Sequence, residues 1–387
     1  MNPSWIVVIL LWILSLVGIS FYGGPVSYGF FAAITLVPVV SFIYILIVLF
    51  RFKIYQEANR IKVVANSITK FYITLQNEDF FTYSGIRIQF YSPFSTILGI
   101  DENTEYELMP FSGIKKETSL LCRYRGEYEV GIKSIVVRDY LKLFKLTYQN
   151  HEPFRINVMP EILHLSELKT INAADTSSVE TMYKADQSDV TVREYIPGDD
   201  IRKIHWKATA SSGKLLVRNV TGEEKQGIAI IMDSQRYSDD PSAYLPLENQ
   251  ISRIVLALCA YFNDNRTPVR VLSYTGALDD HVMKDTDGFN SFYSYLSSFA
   301  FDEKYDLLDM LKQIMSNLPL YTGHQVIMVI HKVNAAVLSA TDRLKLNGIN
   351  PIIYLVTDDN EEADSATALL NSNLYVIPTE ADLKEVL

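Results

Sequence analysis

Hydrophobic and polar positions divide the 387-residue chain into three regimes. From Met1 to Phe50 there is no Asp, Glu, Lys or Arg, and all 80 such side chains follow. Two apolar runs, Trp5 to Tyr22 and Phe30 to Phe50, flank the break Gly23-Gly24-Pro25. At about 1.5 Å of rise per residue they give roughly 27 and 31 Å, enough to cross a hydrocarbon core of about 30 Å, so the pattern predicts a two-helix transmembrane hairpin over residues 1–52. A cleaved signal peptide fits less well, because no basic segment precedes the first run and a second, longer run follows it directly. Arg51, Lys53, Arg60 and Lys62 flank the exit of the second run while the turn carries no charge. The positive-inside bias then predicts a two-pass protein of the cell membrane, bound to the lipid bilayer, with both termini and the soluble domains cytoplasmic.

Over residues 58–160 the pattern shortens to period two. "RIKVVANSITKFYITLQN", "SGIRIQFY", "TEYELMPF", "TSLLCRYRGEYEVGIKSIVVRDY" and "FRINVMP" alternate apolar and polar positions, are rich in β-branched and aromatic residues, and are punctuated by Gly, Asn or Pro. These features predict an all-β domain of the sandwich or barrel type. Residues 161–192 lose periodicity, gain Ser, Thr, Asn and Asp, and read as a linker. From residue 226 to 387 the runs "GIAIIMD", "PVRVLSY", "QVIMVIH", "PIIYLVT" and "NLYVI" lack polar alternation and read as strands buried on both faces. Helical stripes lie between them: Ile251, Ile254, Val255, Leu258, Cys259 and Phe262, then Leu307, Leu308, Met310, Leu311 and Ile314. Strand and helix alternate, which predicts an α/β open sheet, mainly parallel, wrapped by helices. "GFNSFYSYLSSFAF", Gly288 to Phe301, reads as a helix packed on that sheet.

Charge is uneven. Residues 51–225 hold 24 basic and 23 acidic side chains, residues 226–387 hold 11 and 22. An acidic second half without clustered Lys and Arg argues against nucleic acid and suits a protein partner or a solvated surface. The only cysteines, Cys122 and Cys259, stand alone and read as buried thiols in a reducing compartment. His151, His164, His281, His324 and His331 are scattered singly and show no metal-ligand spacing.

The densest polar segment is "REYIPGDDIRKIHWKATASSGKLLVR" at residues 193–218, within a signature stretch 193–225. Around the Pro197-Gly198 turn it gathers Arg193, Glu194, Tyr195, Asp199, Asp200, Arg202, Lys203, His205, Trp206 and Lys207. Gly tolerates positive φ and the following Asp can bond backbone amides, so the turn is tight, and a helical stretch is expected through Ala210. Three roles compete for it. Ion pairs and Trp206 can lock a junction between domains. Asp199 and His205, with Lys207, can make an acid–base centre, though no nucleophile or oxyanion loop is identifiable beside them. Arg193, Arg202, Lys203 and Lys207 can bind an anion.

This segment resembles the signature of domain-of-unknown-function family fifty-eight, an Arg-x-Tyr-x-x-Gly-Asp turn followed by a His-Trp pair and a Gly-Lys-Leu run, here Arg193, Tyr195, Gly198, Asp199, Arg202, Ile204, His205, Trp206, Ala208, Ala210, Gly213 and Leu215. "RGEYEVGIKSIVVRDYLKLF", Arg125 to Phe144, is similar to a second stretch of the family, and Val158 and Pro160 fit the Val-x-Pro that follows it. In that second stretch members often have Pro after the Asp, here Asp139, and Gly before the Leu-Phe pair, here Leu143-Phe144; Tyr140 and Lys142 stand there in this chain, which implies a differently shaped turn.

The resemblance also implies a von Willebrand factor A-like fold for residues 226–387. Such folds can hold Mg²⁺ through an Asp-x-Ser-x-Ser loop, whose hard oxygen ligands suit that ion. Here the loop reads Asp233, Ser234, Gln235, Arg236, Tyr237, with Gln235 and Tyr237 in place of both serines. "QVIMVIH" also ends in His331-Lys332 where an Asp is expected. The loop is thus degenerate: no metal and no cofactor are expected, and Asp233 reads as a cap or a stabilising charge at a helix start. Relatives are associated with MoxR-type AAA+ ATPases and with transglutaminase-like membrane proteins. The implied function is a non-catalytic membrane-anchored adaptor that docks through the face around Asp233, Gln235 and Tyr237. The alternatives are a hydrolase-like enzyme centred on Asp199 and His205, and an envelope scaffold independent of any ATPase.

Overall fold

Pro25 sets where the second apolar helix begins. A computed structural model describes residues 3–58, 62–91, 94–101, 103–150, 152–168, 191–195, 204, 206–219, 227–317, 325–370 and 373–387. In it α1 (Pro3–Tyr22) and α2 (Pro25–Arg51) are joined by Gly23 and Gly24, both at positive φ. Proline at the first helical position has its φ already set for the helix, so α2 starts five residues before the apolar run does. Both helices are long and apolar enough to cross a membrane. They pair in step, with Trp12 Nε1 donating to Thr35 Oγ1 at 3.2 Å.

The chain forms two compact units, Met1–Glu161 and Ile162–Leu387. In the first, strand structure begins immediately after α2 rather than at residue 58: β1 (Lys53–Ala58) pairs with β3 (Ile68–Asn77), which lies beside β7 (Ser112–Cys122) and then β5 (Ser95–Leu98). A second sheet runs β10 (Lys145–Gln149), β9 (Ile132–Arg138), β4 (Tyr83–Phe90), β6 (Tyr106–Leu108). A third holds β2 (Lys62–Val64), β11 (Phe154–Met159) and β8 (Gly126–Val130). The period-two pattern puts Phe71, Ile73 and Leu75 of β3 inward, where they share one core with Ile86 and Ile88 of β4, Val137 of β9 and Ile156 of β11. Ile45 and Val48 of α2 are fully buried in that same core. The hairpin and the β structure are therefore one packed body, not an anchor with a separate domain behind it.

In the second unit Leu168 is buried, with Ile162, Leu163 and Leu165 packed beside it on the core, so these apolar residues of the expected linker belong to the unit. Residues 169–190, the rest of that linker bar its last two positions, lie outside the described residues. Next come β12 (Thr191–Glu194), α3 (Trp206–Ser212) and β13 (Leu216–Asn219), the two strands pairing antiparallel. The remaining elements are β14 (Ile228–Met232), α4 (Pro241–Asp264), β15 (Val269–Tyr274), β16 (Leu278–Met283), α5 (Thr286–Ser298), α6 (Leu307–Ser316), β17 (Gln325–Ile330), α7 (Ala335–Leu346), β18 (Ile352–Val356), α8 (Asn360–Leu370), β19 (Leu374–Ile377) and α9 (Leu383–Val386).

The six-stranded sheet runs β16-β15-β14-β17-β18-β19, parallel except for β16, which is antiparallel to β15. Every residue of β14 and β18 is buried, as unbroken apolar runs require. One face packs α4 and α5 through Ile254, Leu258, Phe292 and Leu296; the other packs α6 and α7 through Met310, Leu311, Val337 and Leu344. β16 escapes a reading by apolar runs because its sequence, Leu278-Asp279-Asp280-His281-Val282-Met283, is that of a half-exposed edge. Helix α5 ends at Ser298, so Phe299 and Phe301 reach the core from the turn beyond it.

Candidate functional site

The order of strands locates a crevice. The chain leaves β14 toward β15 on one side and returns to β17 on the other, and ligands of open α/β sheets bind outside the carboxyl ends of strands at such a reversal. Asp233 follows β14 there, and His331 follows β17.

Asp233 is fully buried. Its Oδ1 accepts from the Gln235 amide at 3.1 Å; its Oδ2 accepts from the Tyr237 hydroxyl at 2.8 Å and from the His331 amide at 3.2 Å. Its own amide donates to the Val329 carbonyl at 2.9 Å. His331 Nδ1 lies 2.8 Å from the Val356 carbonyl, which only accepts, so this nitrogen carries the proton and ties the end of β17 to that of β18. The Tyr237 and His331 rings meet edge to face at 4.8 Å, and Lys332 Nζ stands 5.5 Å from the Tyr237 ring centre. Ser234 Oγ accepts from the Tyr274 amide at 3.0 Å, joining the end of β15. The Asp233-to-Tyr237 loop thus fastens the ends of β14, β15 and β17, and His331 extends the tie to β18.

Burial pushes the Asp233 carboxyl up, against the pull of the three donors. Burial first, and then the Asp233 charge, push the Tyr237 hydroxyl up as well. Tyr237 consequently stays a donor, and three of the roughly four lone-pair sites of the carboxylate are taken by protein groups. Among the described residues no group of three or more His, Cys, Asp or Glu is placed to hold a metal ion. Asp233 is not a helix cap either: α4 is capped by Asp240, which accepts from the Ser242 amide.

Arg236 fixes the other side of the loop. Its guanidinium holds Glu248 of α4 at 2.6 and 3.1 Å and lies 4.1 Å from the Tyr244 ring centre, and its amide donates to the Asp302 carbonyl at 3.1 Å. Glu248 is 6 % exposed, so this pair is screened from solvent. Arg236 stands at a variable position of the Asp-x-Ser-x-Ser pattern, which does not single it out; the clue in the sequence is Glu248, an acid on the inner face of the next helix.

In the signature segment, Arg193 of β12 is in register with Val217 of β13, and the Tyr195 amide donates to the Leu215 carbonyl at 2.8 Å. Ile204, 7 % exposed, bridges to Val217. Helix α3 ends at Gly213, whose φ of 70° suits glycine, and Thr209 Oγ1 accepts from the Leu216 amide at 3.0 Å. Trp206 is 64 % exposed. Gly198, Asp199, Arg202 and His205 lie outside the described residues, as do the side chains of Arg193 and Lys207. The segment therefore forms a β-ribbon closed over a short helix, and its expected acid–base pair and ion pairs fall on undescribed positions.

The second family-like stretch has a structural explanation in the first unit. Asp139 is 2 % exposed and accepts from the Ser41 hydroxyl of α2, from the Leu141 amide at 3.2 Å and from the Phe144 amide at 2.7 Å. The Lys142 amide donates to the Asp139 carbonyl at 3.0 Å, closing a turn with Tyr140 at its second position, where Pro is favoured. Lys142 has φ 57°, so the turn carries a lysine in a backbone conformation that glycine adopts without strain.

Among solved structures, proximal thread matrix protein 1 of the mussel byssus aligns at 11 % identity over 41 % of this chain and 45 % of its own, with a TM-score of 0.30, so this chain spans less than half of that protein's length. A Salmonella alpha-2-macroglobulin variant aligns at 9 % identity over 86 % of this chain and 23 % of its own, with a TM-score of 0.21. Scores that low carry nothing about fold or function. No curated protein matches. The family described as "Protein of unknown function DUF58" matches residues 191–277, the β-ribbon, the strand-end loop and the strands β14 and β15, and this match supports the DUF58 family for the chain.

Proposed function

We propose that this protein is a non-catalytic, membrane-anchored adaptor. The hairpin of α1 and α2 holds it in the cell membrane with both termini and both units' soluble parts in the cytoplasm. The second unit acts as a von Willebrand factor A-like docking platform. The observation that supports a binding role over a catalytic one is Asp233: its carboxylate is buried and engaged by three protein donors, so the strand-end crevice offers a fixed surface rather than a free acid or metal ligand. The family resemblance names the partner class, a MoxR-type AAA+ ATPase, with a transglutaminase-like membrane protein as a further associate.

The test is to cross-link the tagged full-length protein in its native membrane, purify it in detergent and identify what accompanies it, beside Arg193→Ala and Gln235→Arg. Gln235 is half-buried at the loop's edge, where an added cation alters the face without opening the core. Co-purification of an AAA+ ATPase, reduced several-fold by either substitution, is the expected outcome. Intact protein without any ATPase would end the adaptor reading and favour hydrolytic assays of Asp199 and His205 variants.

A further inference from the structure

The two apolar helices differ in length, and the surplus locates a surface. α1 has 20 residues and α2 has 27, about 30 and 40 Å at 1.5 Å per residue, against a hydrocarbon core of about 30 Å. They pair in step from the Gly23-Gly24 turn, so the extra length of α2, about 10 Å, lies at its Arg51 end. That surplus is the last seven residues of α2, an interfacial depth, and whatever is bonded to α2 from Ser41 onward lies within about one helical turn of it.

Three loops of the β structure are bonded there. The β9–β10 loop meets α2 through Asp139 and Ser41, and α1 through the Trp5 Nε1 donating to the Leu143 carbonyl at 2.8 Å. In the β3–β4 loop, the Thr82 carbonyl accepts from the Tyr44 hydroxyl at 3.0 Å and Asp79 pairs with Arg51 at 2.8 Å. The β6–β7 loop is held to the β3–β4 loop by the Phe111 amide donating to the Asp79 carbonyl at 3.1 Å. At the tips of these loops Phe80 is 78 % exposed, Phe111 74 %, Met109 63 %, Tyr140 56 % and Leu141 48 %. Phe111 also takes φ 49°, a conformation costly for a bulky residue, and gains little packing in return. Apolar and aromatic side chains set together beside a membrane helix have the character of an interfacial belt.

We propose that this rim enters the headgroup–acyl boundary of the same bilayer, so that the β structure rests on the membrane through its loop tips as well as through α2. The inference rests on the reading of the hairpin as a membrane anchor. Its occupant is lipid: the rim is apolar, so insertion requires no anionic headgroup.

The full-length protein in phosphatidylcholine vesicles tests it, with an environment-sensitive dye on Phe111→Cys, Leu141→Cys, Ile68→Cys or Leu14→Cys. Both native cysteines are buried, and burial pushes the Cys122 thiol up to about 11, so the introduced thiols are the ones labelled. Ile68 is a matched control, 68 % exposed and at the far end of β3 from Asn77, roughly 30 Å away at about 3.3 Å per residue. The expected result is quenching by chain-brominated phosphatidylcholine at positions 14, 111 and 141 but not 68, with iodide quenching at least about threefold weaker at 111 and 141 than at 68. Positions 111 and 141 behaving like 68 while 14 is lipid-quenched would overturn the rim and leave the anchor standing. A position 14 that lipid does not quench would overturn both.

Discussion

The first unit buries Asp139 and the second buries Asp233, and each carboxylate is met by three donors of the same kinds: the amide two residues on, a hydroxyl, and a more distant amide. What differs is where the far partner lies. Asp233 takes its hydroxyl from Tyr237 in its own loop and its distant amide from His331, so it closes a crevice within one sheet. Asp139 takes both amides from its own turn and its hydroxyl from Ser41 of an apolar helix, so it fastens a loop to that helix. One chemical device, a desolvated carboxylate held by three donors, sets a surface in one unit and a helix attachment in the other.

The largest effect is expected from Asp233→Ala. It leaves the Gln235 and His331 amides and the Tyr237 hydroxyl without their acceptor, at about 1–3 kcal/mol for each group that stays dry, or about 4 kcal/mol together. Urea unfolding of the full-length protein, read by pulsed hydrogen exchange on peptides from β14 and β17, measures it. Losing less than about 1 kcal/mol would mean that water replaces the carboxylate and the crevice is open. Asp233→Asn separates charge from shape. Because burial raises the folded carboxyl above its usual 3.8, the native state holds that proton more tightly than the unfolded chain. Its contribution is complete below the unfolded value and is lost as pH rises through the folded one. Wild-type stability relative to Asp233→Asn should therefore fall as pH rises from about 3.8.

Asp139→Ala should cost about 3 kcal/mol, and Ser41→Ala about 1.5, the size of a hydrogen bond to a charged group. The pair sharpens the comparison through a double-mutant cycle: once Asp139 is gone, removing the Ser41 hydroxyl should cost almost nothing more. Hydrogen exchange in the β9–β10 loop reports it. Additive costs would show that Ser41 and Asp139 stabilise the unit separately, and that the loop is not held to α2 by this bond.

How legible these two sites are in the sequence follows from the range of their contacts. Elements were readable wherever burial writes a pattern, as in the alternation of β3 and the unbroken runs of β14 and β18, and the two apolar helices were readable from length and the lack of charge before Arg51. The β16 edge was not, because a half-exposed strand with Asp279 and Asp280 carries no such period. Asp233 was readable as a strand-end acid, and its Tyr237 partner lies within its own loop. In the sequence His331 marks only the place where an Asp is missing; that its backbone amide completes the Asp233 cage depends on β14 and β17 lying side by side, which no local pattern encodes. Ser41 was invisible for the same reason: one hydroxyl in an apolar helix reads as a tolerated polar residue until the loop that needs it is in place.

The smallest expected effect tests the turn around Asp139 itself. Lys142 sits at φ 57° between the Leu141 and Phe144 amides that bond the carboxylate. An L-residue pays about 1 kcal/mol there relative to glycine, partly offset because glycine loses more freedom on folding. Lys142→Gly should therefore stabilise the first unit by about 0.5 kcal/mol and leave exchange in β14 and β17 unchanged. If it destabilises instead, the lysine side chain contributes contacts that outweigh its backbone strain, and the turn is held by more than the Asp139 cage. A neutral result in wild type that becomes stabilising with Asp139→Ala would show that the three donors, rather than the residue at the turn, fix the loop against α2.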